Sequence, residues 1–199
     1  IRTRVGDLWF GTREGLVRFH ADTLSIYTNT NAPALRNSEV SRIVEDSQGG
    51  LWLATPSGVV RWHDEQFERL DPNHVPDFAV NVILPESRSG LWIGGGYMLA
   101  RFHQGIWNRH TQESGLRDAD INSLAEHPDG TVWIGCHRGL LHFDPSTEQF
   151  SPIDMPGAFE QYHVQAITFA TDGSAWILTQ TRGEGHCRLW HFSNGRWAD

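Results

Sequence analysis

Lysine is absent from this sequence: all 16 basic residues are arginine, against 24 acidic ones. Such codon usage is the mark of a GC-rich genome and points to a bacterium. The formal net charge is -8, and no basic block occurs anywhere. Nucleic-acid binding needs an electropositive footprint to neutralise phosphates, so no nucleic-acid partner is expected. Long apolar runs are missing too; none approaches the roughly 18 residues that span a bilayer, and no signal peptide is visible. Cysteine is sparse. Cys136 and Cys187 cannot build a disulfide framework, and two buried free thiols are expected over a bridge, because free cysteine is commonly buried.

Catalytic patterns are equally scarce. There is no Gly-x-Ser-x-Gly elbow, no Cys-x-x-Cys pair and no His-x-x-x-His helix. Carboxylates are spread over turns with no evident pair for glycosidic chemistry. Of the eleven histidines, His20, His63 and His103 fall at equivalent repeat positions and should radiate apart. His137 and His142 lie on opposite sides of a hairpin. His186 and His191 are separated by an odd number of residues on one strand and so point to opposite faces. The expectation is no metal, no cofactor and no enzyme.

What the sequence has is tryptophan, nine copies, and a repeat that tryptophan marks. Gly6-Asp7-Leu8-Trp9-Phe10-Gly11-Thr12 recurs as Gly50-Leu51-Trp52-Leu53-Ala54-Thr55 and as Gly90-Leu91-Trp92-Ile93-Gly94-Gly95. It returns as Gly130-Thr131-Val132-Trp133-Ile134-Gly135-Cys136 and Gly173-Ser174-Ala175-Trp176-Ile177-Leu178-Thr179. The Trp-to-Trp spacings are 43, 40, 41 and 43 residues. Flanking positions keep step: Val40, Val80, Ile121 and Val164 precede the last four Trp by twelve residues. Phe19, Trp62, Phe102 and Phe143 follow the first four by ten, and Phe192 is the fifth, displaced by a longer hairpin. Each unit reads as four short strands separated by turns, with Asp129-Gly130 and Asp172-Gly173 supplying the positive φ of a tight hairpin.

A four-stranded unit of this length is the signature of a propeller blade. The predicted fold is all-β: a β-propeller segment of five four-stranded antiparallel blades at about 1–35, 36–76, 77–117, 118–158 and 159–199. The first blade is incomplete, since Ile1 aligns with Val44 near the end of strand A, and a fragment of a larger propeller is expected. One twisted sheet cannot bury both apolar faces alone. Trp9, Trp52, Trp92, Trp133 and Trp176 are therefore expected in the core, each filling the wedge between neighbours.

Three features resemble the two-component regulator propeller repeat. They are the Gly-x-Leu-Trp-Ile-Gly-Thr core, the preceding Ile43-Val44-Glu45-Asp46, and Gly15-Leu16-Val17-Arg18-Phe19 with its counterparts Arg61-Trp62 and Gly139-Leu140-Leu141-His142-Phe143-Asp144. His20, His63 and His103 stand where the family has Asp, and Gly95-Gly96-Tyr97-Met98 replaces Gly-Gly-Leu. The resemblance implies a sensor role. Such propellers are extracytoplasmic, periplasmic input regions of bacterial inner-membrane signalling proteins, with polysaccharide fragments as ligands of some members.

In a propeller the B–C hairpins and D–A connections share one face. That face would carry Arg13, Tyr97, His137, Arg138, Arg182 and Glu184 on hairpins, and Arg36, His74, Asp77, Arg117, Asp118, Tyr162 and His163 on connections. Arg forks suit carboxylates and Tyr rings suit sugars. The binding candidates are Arg13, Tyr97, His137, Arg138, Tyr162, His163, Arg182 and Glu184, toward a small-molecule or oligosaccharide ligand, with further blades of the same protein and a homodimer as other partners. Ser41, Asn81, Asn122 and Gln165 share one strand A position, where a hydrogen-bond layer is favoured over a channel lining. Two alternatives stand beside the sensor: a lyase-type enzyme, with His137 and Glu184 as the pair to check, and a scaffold for protein contacts.

Overall fold

The computed structural model describes residues 1–36, 39–70, 80–86, 90–96, 98–104, 106–116, 120–157, 162–181, 183 and 185–198. Its strands fall into five antiparallel sheets in chain order. The first holds β1 (Leu8–Gly11), β2 (Leu16–His20) and β3 (Thr23–Tyr27). The second holds β4 (Arg42–Glu45), β5 (Leu51–Thr55), β6 (Gly58–His63) and β7 (Gln66–Arg69). The third holds β8 (Val82–Pro85), β9 (Leu91–Gly95), β10 (Met98–His103) and β11 (Ile106–His110). The fourth holds β12 (Ile121–Glu126), β13 (Val132–Cys136), β14 (Gly139–Asp144) and β15 (Gln149–Pro152). The fifth holds β16 (Tyr162–Phe169), β17 (Ala175–Thr181), β18 (Cys187–Ser193) and β19 (Arg196–Ala198). The first sheet has three strands, and Arg2 adds one isolated bridge to Leu8. Helix is confined to two single 3-10 turns among the described residues, and none is long and apolar enough to cross a membrane.

Turn chemistry explains the hairpins. Gly130 and Gly173 sit at φ of 91° and 81°, which a side chain would strain. The preceding carboxylates close each turn: Asp129 accepts the Thr131 N–H at 2.8 Å and Asp172 accepts the Ser174 N–H at 2.9 Å. For Asp172 the Ser174 bonds hold the carboxyl below its usual range. At Asp129 burial opposes ionisation, but the bonds from Thr131 and His127 outweigh it.

The chain divides into two compact units, Ile1–Ile93 with Ala100–Asn108, and Gly94–Leu99 with Arg109–Asp199. In the first, Trp9 packs on Val40, Leu51, Leu53, Val60 and Trp62 of the second sheet, and Trp52 packs with Val80, Ile83, Leu91 and Ile93 of the third. In the second unit, Trp133 packs with Val164, Ile167, Ile177 and Trp190 of the fifth sheet. The residue two after the Trp is small at these seams (Gly11, Ala54, Gly135) because the next sheet's first strand lies against it. A Cβ on Gly135 would come within 2.6 Å of Val164 Cγ1.

Four of the five marker indoles are buried; the expectation fails at Trp176, which is 40% exposed. In the three seams just described the indole is buried by the sheet that follows, and the Trp176 face of the fifth sheet has no such cover among the described residues. Trp176 instead stacks on His191 with ring centroids 4.3 Å apart. Leu178, in the place of the small residue, is 36% exposed.

Directly across the hairpin from the Trp stands Arg18, Arg61, His142 or His191 in four of the sheets. The guanidinium carbons of Arg18, Arg61 and Arg101 lie over Trp9, Trp52 and Trp92 at 5.2, 5.0 and 5.2 Å, within cation–π range. Each is held by a buried acid: Arg18 Nε donates to Asp7 at 2.9 Å, Arg61 Nη2 to Asp46 at 3.1 Å and Arg101 Nε to Glu86 at 2.7 Å. Arg18 also reaches Glu65 of the second sheet at 2.6 Å. The carboxylates are thus not all turn residues, as the sequence suggested; Asp7, Asp46 and Glu86 are buried.

Candidate functional site

At the loop end of the fourth and fifth sheets the structure gathers a polar cluster. His137 follows the last residue of β13, and its N–H donates to Asp120 O at 3.0 Å. His163 is the second residue of β16. Although the two histidines are far apart in sequence, their rings meet edge to face with centroids 4.6 Å apart.

Two β-bulges build the rest. The β12–β13 register shifts between Ile121 and Ser123, and the β16–β17 register shifts between Val164 and Ala166. Asn122 and Gln165 are the extra residues. A bulge re-aims a side chain that regular pairing would fix. Asn122 Nδ2 donates to Asp120 O at 3.0 Å and lies 2.7 Å from His163 Nε2. Gln165 Nε2 lies 3.4 Å from His163 Nδ1 and donates to Gln180 Oε1 at 3.1 Å. Ser41, at the same repeat position, donates to Ala54 O at 3.3 Å. Ser41, Asn122 and Gln165 therefore form hydrogen bonds, and in the last two sheets Asn122 and Gln165 frame the imidazole pair.

The sequence candidates separate into groups. His137 and His163 come together, and Arg138 sits beside them on the hairpin, exposed. Tyr162, expected on the ligand face, is a correction: it is buried and meets Trp190 edge to face at 5.5 Å, because strand alternation turns it into the sheet-to-sheet core. Arg13 and Arg36 are exposed in the first unit. Tyr97, Arg182 and Glu184 lie outside the described residues, as do His74, Asp77, Arg117 and Asp118, so the His137–Glu184 pairing has no described geometry. Sequence reasoning missed the meeting of His137 with His163. The signal available was the shared repeat phase of Asn122 and Gln165 with a histidine next to each blade's loop end.

Elsewhere, His20 Nδ1 lies 2.5 Å from Asp7, His63 Nδ1 3.0 Å from Asp64 and His103 Nδ1 3.5 Å from Glu86. Among the described residues no group of three His, Cys, Asp or Glu could hold a metal ion. Both cysteines are free. Cys136 is buried, but Cys187 is exposed, which corrects the expectation of two buried thiols: alternation on β18 puts Cys187 opposite Gln180 on the uncovered face. Burial, helped by the Asp120 charge, pushes the Cys136 thiol up to about 12.

Comparison with known proteins follows this architecture. Residues 34–57 and 115–138 match the two component regulator propeller family model. No curated protein is significantly similar in sequence. Among solved structures, the extracellular domain of the one component system BT4673 from B. thetaiotaomicron superposes with a TM-score of 0.72 at 19% identity, over 98% of this chain and 31% of that one. The extracellular domain of the hybrid two component system BT3049 from the same organism gives 0.70 at 16%, over 100% and 33%. Virginiamycin B lyase from Staphylococcus aureus gives 0.73 at 16%, over 100% and 67%. The chain spans about a third of the length of the two extracellular domains. Identities this low speak for the fold alone, a β-propeller. The two matched segments, 34–57 and 115–138, are repeats of the two component regulator propeller type.

Proposed function

We propose that this chain is a ligand-binding part of an extracytoplasmic sensor region in a bacterial signalling protein, without catalysis of its own. The observation that carries the reading is the family match at two repeats. The likeness to extracellular domains of signalling systems supports it. The imidazole–amide cluster at the loop end is the place for the ligand. His137, His163, Asn122, Gln165 and Gln180 offer hydrogen-bond donors and acceptors, with Arg138 beside them, which suits hydroxyl groups of a small molecule or oligosaccharide. Further blades of the same protein are proposed as its structural neighbours, since Phe10, Leu24 and Ile26 of the first sheet are exposed where Leu53 and its neighbours in the second sheet are covered.

The test is calorimetric titration of the chain with a panel of neutral and uronate-containing oligosaccharides. The reading expects one class to bind, and His137→Ala and His163→Ala each to weaken it. Binding that survives both substitutions, or no binding across the panel, removes the site. A lyase reading is favoured by one observation, the superposition on virginiamycin B lyase. It needs a carboxylate within hydrogen-bond reach of an imidazole on this cluster, and turnover of virginiamycin B lost in His137→Ala would establish it.

A further inference from the structure

A cleft of about 190 Å³ opens beside Trp52 in the first unit, at the turn end rather than the loop end of the sheets. Trp52, Leu91, Pro85 and Phe102 form its apolar part, and Asp46, Gln48, Arg61 and Glu86 its polar part. Comparison with the seam of the second unit explains why it is open. There Trp133 is met by Phe169 at 5.2 Å and Phe192 at 5.6 Å, and His127 stacks on it at 6.1 Å. Phe169 stands as far before Trp176 as Pro85 stands before Trp92, and Phe192 is the counterpart of Phe102. A proline in place of a phenylalanine removes the ring that would close the seam. Asp46 and Glu86 then stand where the other seam has His127 and Ala170, so the opening is charged as well as roomy.

The charges have a defined arrangement. Asp46 Oδ1 accepts the N–H groups of Gln48 and Gly50, at 2.9 and 2.8 Å, leaving Oδ2 with Arg61 alone. Glu86 takes Arg101 Nε firmly at 2.7 Å on Oε1, while Oε2 has two longer contacts, 3.3 Å to Arg101 Nη2 and 3.5 Å to His103 Nδ1. Gly90 keeps this carboxylate in place, because a Cβ there would collide with it. Arg61 spends Nη2 on Asp46 and Gln48, which leaves the other edge of its guanidinium for a second carboxylate. Two buried acids and one half-used arginine around an aromatic floor ask for a ligand with both signs of charge. The volume is below that of sites for drug-sized molecules, roughly 300 Å³ and more.

We propose that this cleft binds a free amino acid as its zwitterion. The ammonium lies between Glu86 and Asp46, the carboxylate on Arg61, and an apolar side chain on Trp52 and Phe102. The inference goes beyond the sensor reading and does not draw on the imidazole cluster.

The experiment is calorimetric titration of the chain with L-leucine and L-phenylalanine, then with N-acetyl-L-leucine, which lacks the ammonium, and L-leucinamide, which lacks the carboxylate. Binding of the zwitterions at about 1 mM or tighter is expected, with each derivative weaker by about tenfold or more. Pro85→Phe, copying Phe169, should abolish binding, and Phe102→Trp, copying Trp62, should weaken it, both with folding verified by thermal melting. The proposal is overturned if neither amino acid binds up to about 10 mM, if the derivatives bind as well as leucine, or if a folded cleft-filled variant still binds.

Discussion

Gly135 and Leu178 hold the same place in successive sheets and meet opposite surroundings. A methyl group on Gly135 has to displace Val164, so Gly135→Ala should lose about 1–3 kcal/mol by overpacking. Leu178→Ala, at a face without cover, should change stability by less than about 1 kcal/mol. Urea unfolding of both variants checks the contrast. Asp7 gives a prediction with a pH sign. Its burial opposes ionisation, but His20 and Arg18 outweigh that and lower its pKa. A lowered folded pKa stabilises above the unfolded value near 3.8 and is lost as pH falls through the folded one. Asp7→Asn should therefore cost about 2–4 kcal/mol near neutrality, a gap that narrows below pH 3.8 when unfolding is repeated in acid. The two thiols should also separate. Cys136 is buried with its thiol pushed up to about 12, so a thiol reagent should label Cys187 alone in the native chain and both cysteines after denaturation.

The strands were legible because alternation and turn residues are local. The residue ten after the Trp pairs with the residue just before it across β1–β2 (Leu8↔Phe19), β5–β6 (Leu51↔Trp62) and β13–β14 (Val132↔Phe143), and Ala175↔Phe192 keeps that register through the longer fifth hairpin. The candidate site was legible only in pieces. His137 and His163 were singled out separately, but their contact depends on which sheet packs on which and on bulges at Asn122 and Gln165, and a bulge leaves no mark in the alternation of a short strand. Tyr162 was misread for a related reason: being next to a loop in sequence says nothing about which face of β16 it takes. The buried acids escaped because Asp46 and Glu86 end strands next to turns, and only the arginine across the sheet tells a buried acid from a turn acid. At this scale Trp133→Ala should cost about 3–5 kcal/mol and Trp176→Ala clearly less, since only the former indole lies within a seam. Thermal melts of the two variants rank them.

Within each unit the same packing rule recurs: an indole on one sheet, a small residue two positions later, and the first strand of the next sheet laid over both. Sequence periodicity carried this rule, and it erred only where the rule lacks its second partner, at the fifth sheet. The measurement that tests it most directly is hydroxyl-radical footprinting of the native chain, read residue by residue by mass spectrometry. The rule predicts that Trp9, Trp52, Trp92 and Trp133 are protected while Trp176 oxidises readily. Comparable oxidation of all five indoles, or protection of Trp176 with exposure of the others, would contradict it.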